Sequence, residues 1–386
     1  MVKHSSQILT LLLVLHVLER ATSGEPFRYP EAVHGKGELK YVNGVPLLVV
    51  QGEPGEIGEQ VGVLSVKPAS NLFKLAPEFL QTQGIERMYP ALLKMCNFMA
   101  LRFPVAHLSE LEATAKASGQ PRGLFLFGNA FPDVMEIGGC ATLVVEGKRS
   151  TTGGPLFGRN LDWPPVGPLC EYALVTVYRP ARRHAFASIG YPGMIGCASG
   201  INDAGLALAM LDVNRSNDKS ARFNPAGIPC LLMLRRILEE CTTIGEAEKL
   251  VRSVERTTMY NVTLCDKNRA AVLEITSKNV FVRQPEASIC VCTNHFRTPG
   301  LATSTECGRF RILDKSREIK TLALADVVMQ MHAVNQGAAT MQTMVFEPST
   351  LTLHLAFGRG PASRLPIHMI PLAKHLGEPQ RQKKEL

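Results

Sequence analysis

Gly138-Gly139-Cys140-Ala141-Thr142-Leu143-Val144-Val145-Glu146 and, after a turn, Leu156-Phe157-Gly158-Arg159-Asn160-Leu161-Asp162-Trp163 decide how this chain of 386 residues folds. Both stretches read as strands, rich in β-branched and aliphatic side chains, and Thr151-Thr152-Gly153-Gly154 between them has turn chemistry. Two glycines ahead of a cysteine leave a sterically open peptide bond. Arg159 and Asp162 read as a charged pair in apolar text, where an unpaired charge is expensive to bury. Such a pair at the end of a neighbouring strand can order a cysteine and lower its thiol pKa.

The character of the chain changes around this stretch. Before it, from about Glu53 to Ala117, the pattern is mostly helical, with segments at 56–61, 92–101 and 109–117 punctuated by Pro54, Pro77 and Pro104. After it come short strands and tight turns: 172–178 with 184–189, and 194–201 with 206–212 around Asn202-Asp203-Ala204-Gly205. A helix with Pro229 in its first turn follows, then one announced by the capping box Thr243-x-x-Glu246. Strands return at 260–265, 271–276, 280–283 and 288–293, then helices at 306–318 and 323–332, then a hairpin of 343–346 with 351–356. Hairpins alternating with helical pairs imply an α+β layered architecture.

Composition removes several classes. Hydrophobic residues are 45% and charged ones 20%, enough apolar material for a sizeable core and too little charge for a disordered chain. The net charge of +8 is dispersed, and Glu378 and Glu385 dilute the basic tail of Arg381, Lys383 and Lys384, so nucleic acid is not an expected partner. Lys3, the apolar run Ile8 to Leu18 and Ala21-Thr22-Ser23-Gly24 fit a secretory signal peptide over residues 1–23, too short to span a bilayer. The expectation is an exported protein, secreted or otherwise extracytoplasmic, with no stable membrane span. Export makes disulfides among the ten cysteines chemically permissible without specifying any. Asn214-Arg215-Ser216 and Asn261-Val262-Thr263 are glycosylation sequons.

No nucleotide-binding glycine motif, His-Glu-x-x-His or Gly-x-Ser-x-Gly occurs. Instead, Gly139-Cys140 followed by Gly158-Arg159-Asn160-Leu161-Asp162-Trp163 resembles the N-terminal-nucleophile hydrolases of the choloylglycine hydrolase, penicillin V acylase and acid ceramidase group. Gly52-Glu53-Pro54-Gly55-Glu56-Ile57-Gly58, Gly200-Ile201-Asn202-Asp203-Ala204-Gly205-Leu206, Thr293-Asn294-His295-Phe296 and Ser304 to Ile312 with Arg309-Phe310 are similar, in order, to segments of isopenicillin N acyltransferase-like enzymes. The resemblance implies a four-layer αββα sandwich of two antiparallel sheets between helical layers. It implies a precursor that cuts itself between Gly139 and Cys140, giving a helical pro-segment, 24–139, that stays as partner of the catalytic part, 140–386. It also implies a Cys140 nucleophile whose own freed amine is the base, with Asp162 positioning that amine, Arg159 tuning the thiol and Arg309 completing the charged network. Asn294 would offer its side-chain NH₂ to the oxyanion. The substrate would be a small N-acyl amide, hydrolysed or used for acyl transfer, with no cofactor or metal. Two departures stand out: Ala141 where relatives carry Thr or Ser, and Asp212 where the bile-salt enzymes have Asn.

Other readings of the same residues stay open at this stage. Cys140 can be a small buried apolar residue, Arg159 and Asp162 a structural ion pair, Asn294 a turn cap and Arg309 part of a solvated helix face. Cys290-x-Cys292-x-x-His295 is half a metal site without a second ligand pair of matching spacing. A papain-type thiol protease would pair Cys140 with His295, and a non-catalytic binding protein would keep the fold alone.

Overall fold

The computed structural model describes residues 25–82, 84, 86–134, 138–163 and 167–377. The expected signal peptide and the basic tail lie outside these residues. Sixteen strands form two sheets among the described residues. They are β1 Ala32–His34, β2 Gly37–Val42, β3 Val45–Gly52, β4 Gly139–Val145, β5 Leu156–Asp162, β6 Leu174–Pro180, β7 Phe186–Gly190 and β8 Ser199–Asn202. The rest are β9 Ala207–Asp212, β10 Tyr260–Cys265, β11 Ala270–Ile275, β12 Val280–Arg283, β13 Ile289–Cys292, β14 Thr340–Glu347, β15 Thr352–Phe357 and β16 His368–Pro371. The larger sheet runs β1-β2-β3-β6-β7-β8-β9-β10-β11-β12 and the smaller β13-β4-β5-β14-β15-β16.

Side-chain alternation along the strands assigns the layers. On β4, Cys140 and Val144 face the space between the sheets, with Phe157 and Leu161 of β5, Val175 and Val177 of β6 and Met344 of β14. The intervening Ala141, Leu143 and Val145 face the other way, onto Phe310, Leu313, Val327 and Met331 of helices Gly308–Asp314 and Leu324–Ala333. The outer face of the larger sheet, through Val50, Tyr178, Leu208 and Val262, packs on helices from both halves of the chain. Each such aliphatic or aromatic side chain contributes roughly 1.5–3 kcal/mol when buried, so a one-residue slip of β4 would be prohibitive. The result is the expected four-layer αββα sandwich. No described helix is long and apolar enough to cross a membrane.

Two features depart from expectation. Residues 24–139 are not wholly helical, because β1–β3 belong to the larger sheet. Nor are the sheets entirely antiparallel: β3 pairs in parallel with β6, Leu47 opposite Val175 through Gly52 opposite Pro180. The strands in this half start from the Asn43-Gly44 turn, with φ of 49° and 86°, the left-handed pair that a tight β2–β3 hairpin demands, whereas the parallel β3–β6 pair is joined by a long crossover through the helices between them. Helices then follow as anticipated at Pro54–Val61, Tyr89–Met99 and Val105–Ser118, and two more occur at Leu75–Thr82 and Arg122–Val134. A Cβ on Gly58 would lie 2.2 Å from the Glu110 carbonyl, so glycine there permits the close packing of Pro54–Val61 on Val105–Ser118.

A buried charge cluster ties the segment before Cys140 to the segment after it. Arg235, on helix Cys230–Glu240, donates to both Glu110 carboxylate oxygens at 2.8 and 2.6 Å and to Glu239 at 2.7 Å. His107 meets the second Glu239 oxygen at 2.9 Å. The Arg235 guanidinium also lies 4.7 Å from the Tyr178 ring centroid. Burial pushes the Glu239 carboxyl up, but Arg235 and His107 outweigh it and bring it to about 2.

Candidate active site

Cys140 is the second residue of β4, opposite Leu161 on β5, with the chain continuous through Gly139. Its backbone N–H donates to Asn294 Oδ1 at 2.7 Å, and its carbonyl accepts from Arg309 Nη1 at 2.9 Å. Arg309 Nη2 donates to the same Asn294 oxygen at 2.9 Å, and Nη1 reaches Asp162 Oδ2 at 3.3 Å. The Cys140 sulfur lies 3.6 Å from Arg159 Nη2, while Arg159 Nη1 donates to the Met210 carbonyl at 2.6 Å. All five residues singled out in the sequence therefore converge on one nucleophile-sized locus.

Arg159 and Asp162 nevertheless do not form the pair expected of them. Three residues apart on a strand, they project to opposite faces of β5. Arg159 lies on the face with Phe157 and Leu161, and the ion-pair partner of Asp162 is Arg309. Asp162, fully buried, also accepts from Gln336 Nε2 at 2.9 Å and Thr340 Oγ1 at 2.5 Å. Burial raises its pKa, against the lowering effect of those two bonds and of Arg309. The thiol of Cys140 also departs from expectation. Arg159 pulls its pKa down, but burial is the larger effect and the net direction in the intact chain is up. Asn294 is oriented through both its groups: the NH₂ donates to the Asp212 carbonyl at 2.9 Å and the Gly138 carbonyl at 3.3 Å. Asp212 thus contributes a backbone oxygen, and its carboxylate meets Arg222 at 3.3 Å.

The glycines before the cysteine have a steric reason. A Cβ on Gly139 would lie 1.8 Å from Gln336 Nε2, and one on Gly138 would lie 2.7 Å from the Asp162 carbonyl oxygen. Gln336 and Thr340 were not anticipated. Gln336 comes from the turn before β14 and Thr340 opens that strand; they carry no motif, and only the β5–β14 register, with Thr340 opposite Asp162, brings them here.

A cavity of about 240 Å³ opens from the sulfur. Its polar end is Cys140, Arg159, Asp162 and Asp212, and its wall is apolar and aromatic, including Phe73, Phe125, Phe131, Trp163, Tyr191 and Met194. Residues from both sides of the Gly139–Cys140 bond build that wall.

Among the described residues no hydrogen bond joins His295 to Cys140, and His295 Nδ1 is buried without a hydrogen-bond partner. Cys290 and Cys292 share the face of β13 that packs between the sheets. Asn261 of the second sequon is fully buried, with its NH₂ on the carbonyls of Thr293 and His295, whereas Asn214 is exposed.

A conjugated bile acid hydrolase from Clostridium perfringens is similar in structure, with 14% identity over 62% of this chain and 95% of that one and a TM-score of 0.43. A penicillin V acylase from Agrobacterium tumefaciens matches with 14% identity, 62% and 88% coverage and a TM-score of 0.47. The Caenorhabditis elegans ortholog of N-acylethanolamine-hydrolyzing acid amidase matches with 15% identity, 54% and 93% coverage and a TM-score of 0.43. An uncharacterized protein of Archaeoglobus fulgidus is 28% identical over 148 residues, 37% of this chain, and the matched stretch spans about a quarter (24%) of that relative's length. The family model described as acyl-coenzyme A:6-aminopenicillanic acid acyl-transferase matches residues 149–361, more than half of the chain, including Arg159, Asp162, Asn294 and Arg309 and beginning beyond Cys140. This chain belongs to the acyl-coenzyme A:6-aminopenicillanic acid acyl-transferase family.

Proposed function

We propose that the chain is an exported precursor that cleaves its own Gly139–Cys140 bond and then acts through a Cys140 thioester on an N-acyl amide, passing the acyl group to water or an amine. One observation carries this reading: the Cys140 sulfur stands at the polar end of an apolar cavity while its nitrogen is held by a side-chain oxygen. Membership of an acyl-transferase family supports the same chemistry.

In the precursor the Cys140 sulfur attacks the Gly139 carbonyl carbon. The C–N bond breaks, the amine takes a proton, and water hydrolyses the resulting thioester to a Gly139 carboxylate. The freed α-amine, with an ordinary pKa of about 7.7–8.0, then accepts the thiol proton, so no histidine is required. Asn294 Oδ1, already an acceptor for that nitrogen, holds the amine in place. Loss of Gly138 from Asn294 Nδ2 leaves an N–H for the oxyanion, and one such donor is typically worth about 10²–10³ in rate. Arg159 favours the thiolate, and Asp162, fixed by Gln336, Thr340 and Arg309, orients the amine's surroundings. Attack on the substrate carbonyl gives a second thioester, with the proton passing from the α-ammonium to the leaving amine.

The cavity wall favours a hydrocarbon acyl group over a charged one. Because both fragments line it, and Arg235 pairs with Glu110 across the cut, the N-terminal fragment remains bound as a partner. The exposed Asn214 sequon suits an exported protein, whereas Asn261 is inaccessible once folded. Intact mass and N-terminal sequencing test the reading: purified active protein yields a fragment beginning Cys-Ala-Thr-Leu, and Cys140→Ala stays whole. N-acyl amides of graded chain length then define the acyl group. Activity from an uncut chain, or in Cys140→Ala, ends the proposal.

A further inference from the structure

The apolar wall of the cavity suits one half of an N-acyl amide and leaves the other half, the amine, to the polar end. Of the residues at that end, Cys140 is the nucleophile. Arg159, 1% exposed, directs Nη1 to the Met210 carbonyl and Nη2 to the sulfur. Asp162, fully buried, is held by Gln336, Thr340 and Arg309. Asp212 differs, because its side chain keeps 17% of its surface open. It is the last residue of β9, and strand alternation puts its side chain on the face of Met210, which also lines the cavity, while Ala209 and Leu211 face between the sheets. Its backbone carbonyl accepts from Asn294 Nδ2 at 2.9 Å, so the carboxylate is carried by the residue that touches the donor assigned to the oxyanion.

A cation stands behind this carboxylate. Arg222, from the segment between β9 and helix Cys230–Glu240, approaches Asp212 Oδ1 at 3.3 Å through Nη2 and donates from Nη1 to Thr258 Oγ1. Among the described residues Arg222 does not line the cavity, whereas Asp212 does, so the cavity meets the negative member of the pair. We propose, resting on the reaction assigned above, that Asp212 selects the leaving amine: the site prefers N-acyl amides whose amine half carries a positive charge or a hydroxyl over those whose amine half carries a carboxylate or sulfonate. An ammonium or hydroxyl on the amine half donates to the Asp212 carboxylate, and an anion in the same place is repelled. The acyl half, lying against hydrocarbon, contributes nothing to this choice.

The cavity is present in the continuous chain, with Gly138 among its lining residues, so recognition can be read without turnover. The full chain carrying Cys140→Ala is titrated by calorimetry, at low salt, with decanoyl amides of 1,2-diaminoethane, 2-aminoethanol and glycine. Unit charges about 4 Å apart in water, attracting in one ligand and repelling in another, separate affinities about 30-fold, and Arg222 cancels part of that. The expected order is cation, hydroxyl, carboxylate, with the cation about tenfold tighter than the carboxylate. Adding Asp212→Asn, which keeps the backbone carbonyl that orients Asn294, brings those two within about twofold. Arg222→Gln keeps Asp212 and removes its neutralising neighbour, so it widens the gap instead. No binding, equal binding, the reverse order, a gap that Asp212→Asn leaves unchanged or one that Arg222→Gln narrows overturns the proposal. Processed wild-type enzyme shows the same order in kcat/KM. Ordered binding with hydrolysis of none of the amides ends the proposed reaction and leaves the recognition standing, whereas hydrolysis without the order overturns the recognition alone.

Discussion

Gly139→Ala is the perturbation whose consequence can be worked most directly. The new Cβ would sit 1.8 Å from Gln336 Nε2, far inside contact distance, so the Gln336 side chain must leave. Its departure removes the 2.9 Å bond to Asp162 Oδ2, one of three side-chain bonds that hold a fully buried carboxylate. A hydrogen bond to a charged group is worth about 1.5–3 kcal/mol. If that support is needed in the transition state of self-cleavage, processing slows roughly 10- to 150-fold. The assay is the time course of fragment appearance by intact mass. A double-mutant cycle isolates the cause: Gln336→Ala slows processing by a similar factor, and adding Gly139→Ala to it costs little more, because the colliding group is already gone. Wild-type processing by Gly139→Ala, or fully additive effects in the double variant, would refute the steric account.

Two further outcomes follow from buried charge. Arg235→Met leaves Glu110 without its cation and Glu239 with His107 alone, at side-chain exposures of 1% and 7%, and should cost about 3–5 kcal/mol in chemical denaturation. A loss under about 1 kcal/mol would show that the cluster rearranges to shed its charge. Asp133 ends the last helix before the cleavage site, and burial raises its carboxyl to about 6 despite bonds from Thr257 and the Cys230 amide. Its folded pKa exceeds the ordinary 3.8, so the folded state gains stability as pH falls from about 6 toward 4 and loses it as pH rises through 6. Asp133→Asn should flatten that window, read as denaturation midpoints at pH 5 and 8. An unchanged difference between the two would refute the assignment.

Much of this architecture was legible in the residues. The period-two text of 139–145 and 156–162 specifies which side chains enter the space between the sheets. The capping box at Thr243 forms as read, with the Glu246 N–H donating to Thr243 Oγ1 at 3.2 Å. Reading 24–139 as helical passes over Asn43-Gly44, which has hairpin chemistry for β2–β3, and the parallel junction with β6 spans more than a hundred residues and leaves no local mark. Spacing misled only where one periodicity was ignored: Arg159 and Asp162, an odd number apart on a strand, cannot share a face.

Local order alone thus determined the strand and helix succession, the open glycine step before Cys140 and the short segments that bear its polar neighbours, because propensity, turn geometry and side-chain alternation act over a few residues. Tertiary structure decided the rest. It chose Arg309 over Arg159 as the ion partner of Asp162, recruited Gln336 and Thr340, and let burial outweigh Arg159 at the Cys140 thiol. Those outcomes depend on inter-strand register and on exclusion of water, and both exist only once distant segments have packed.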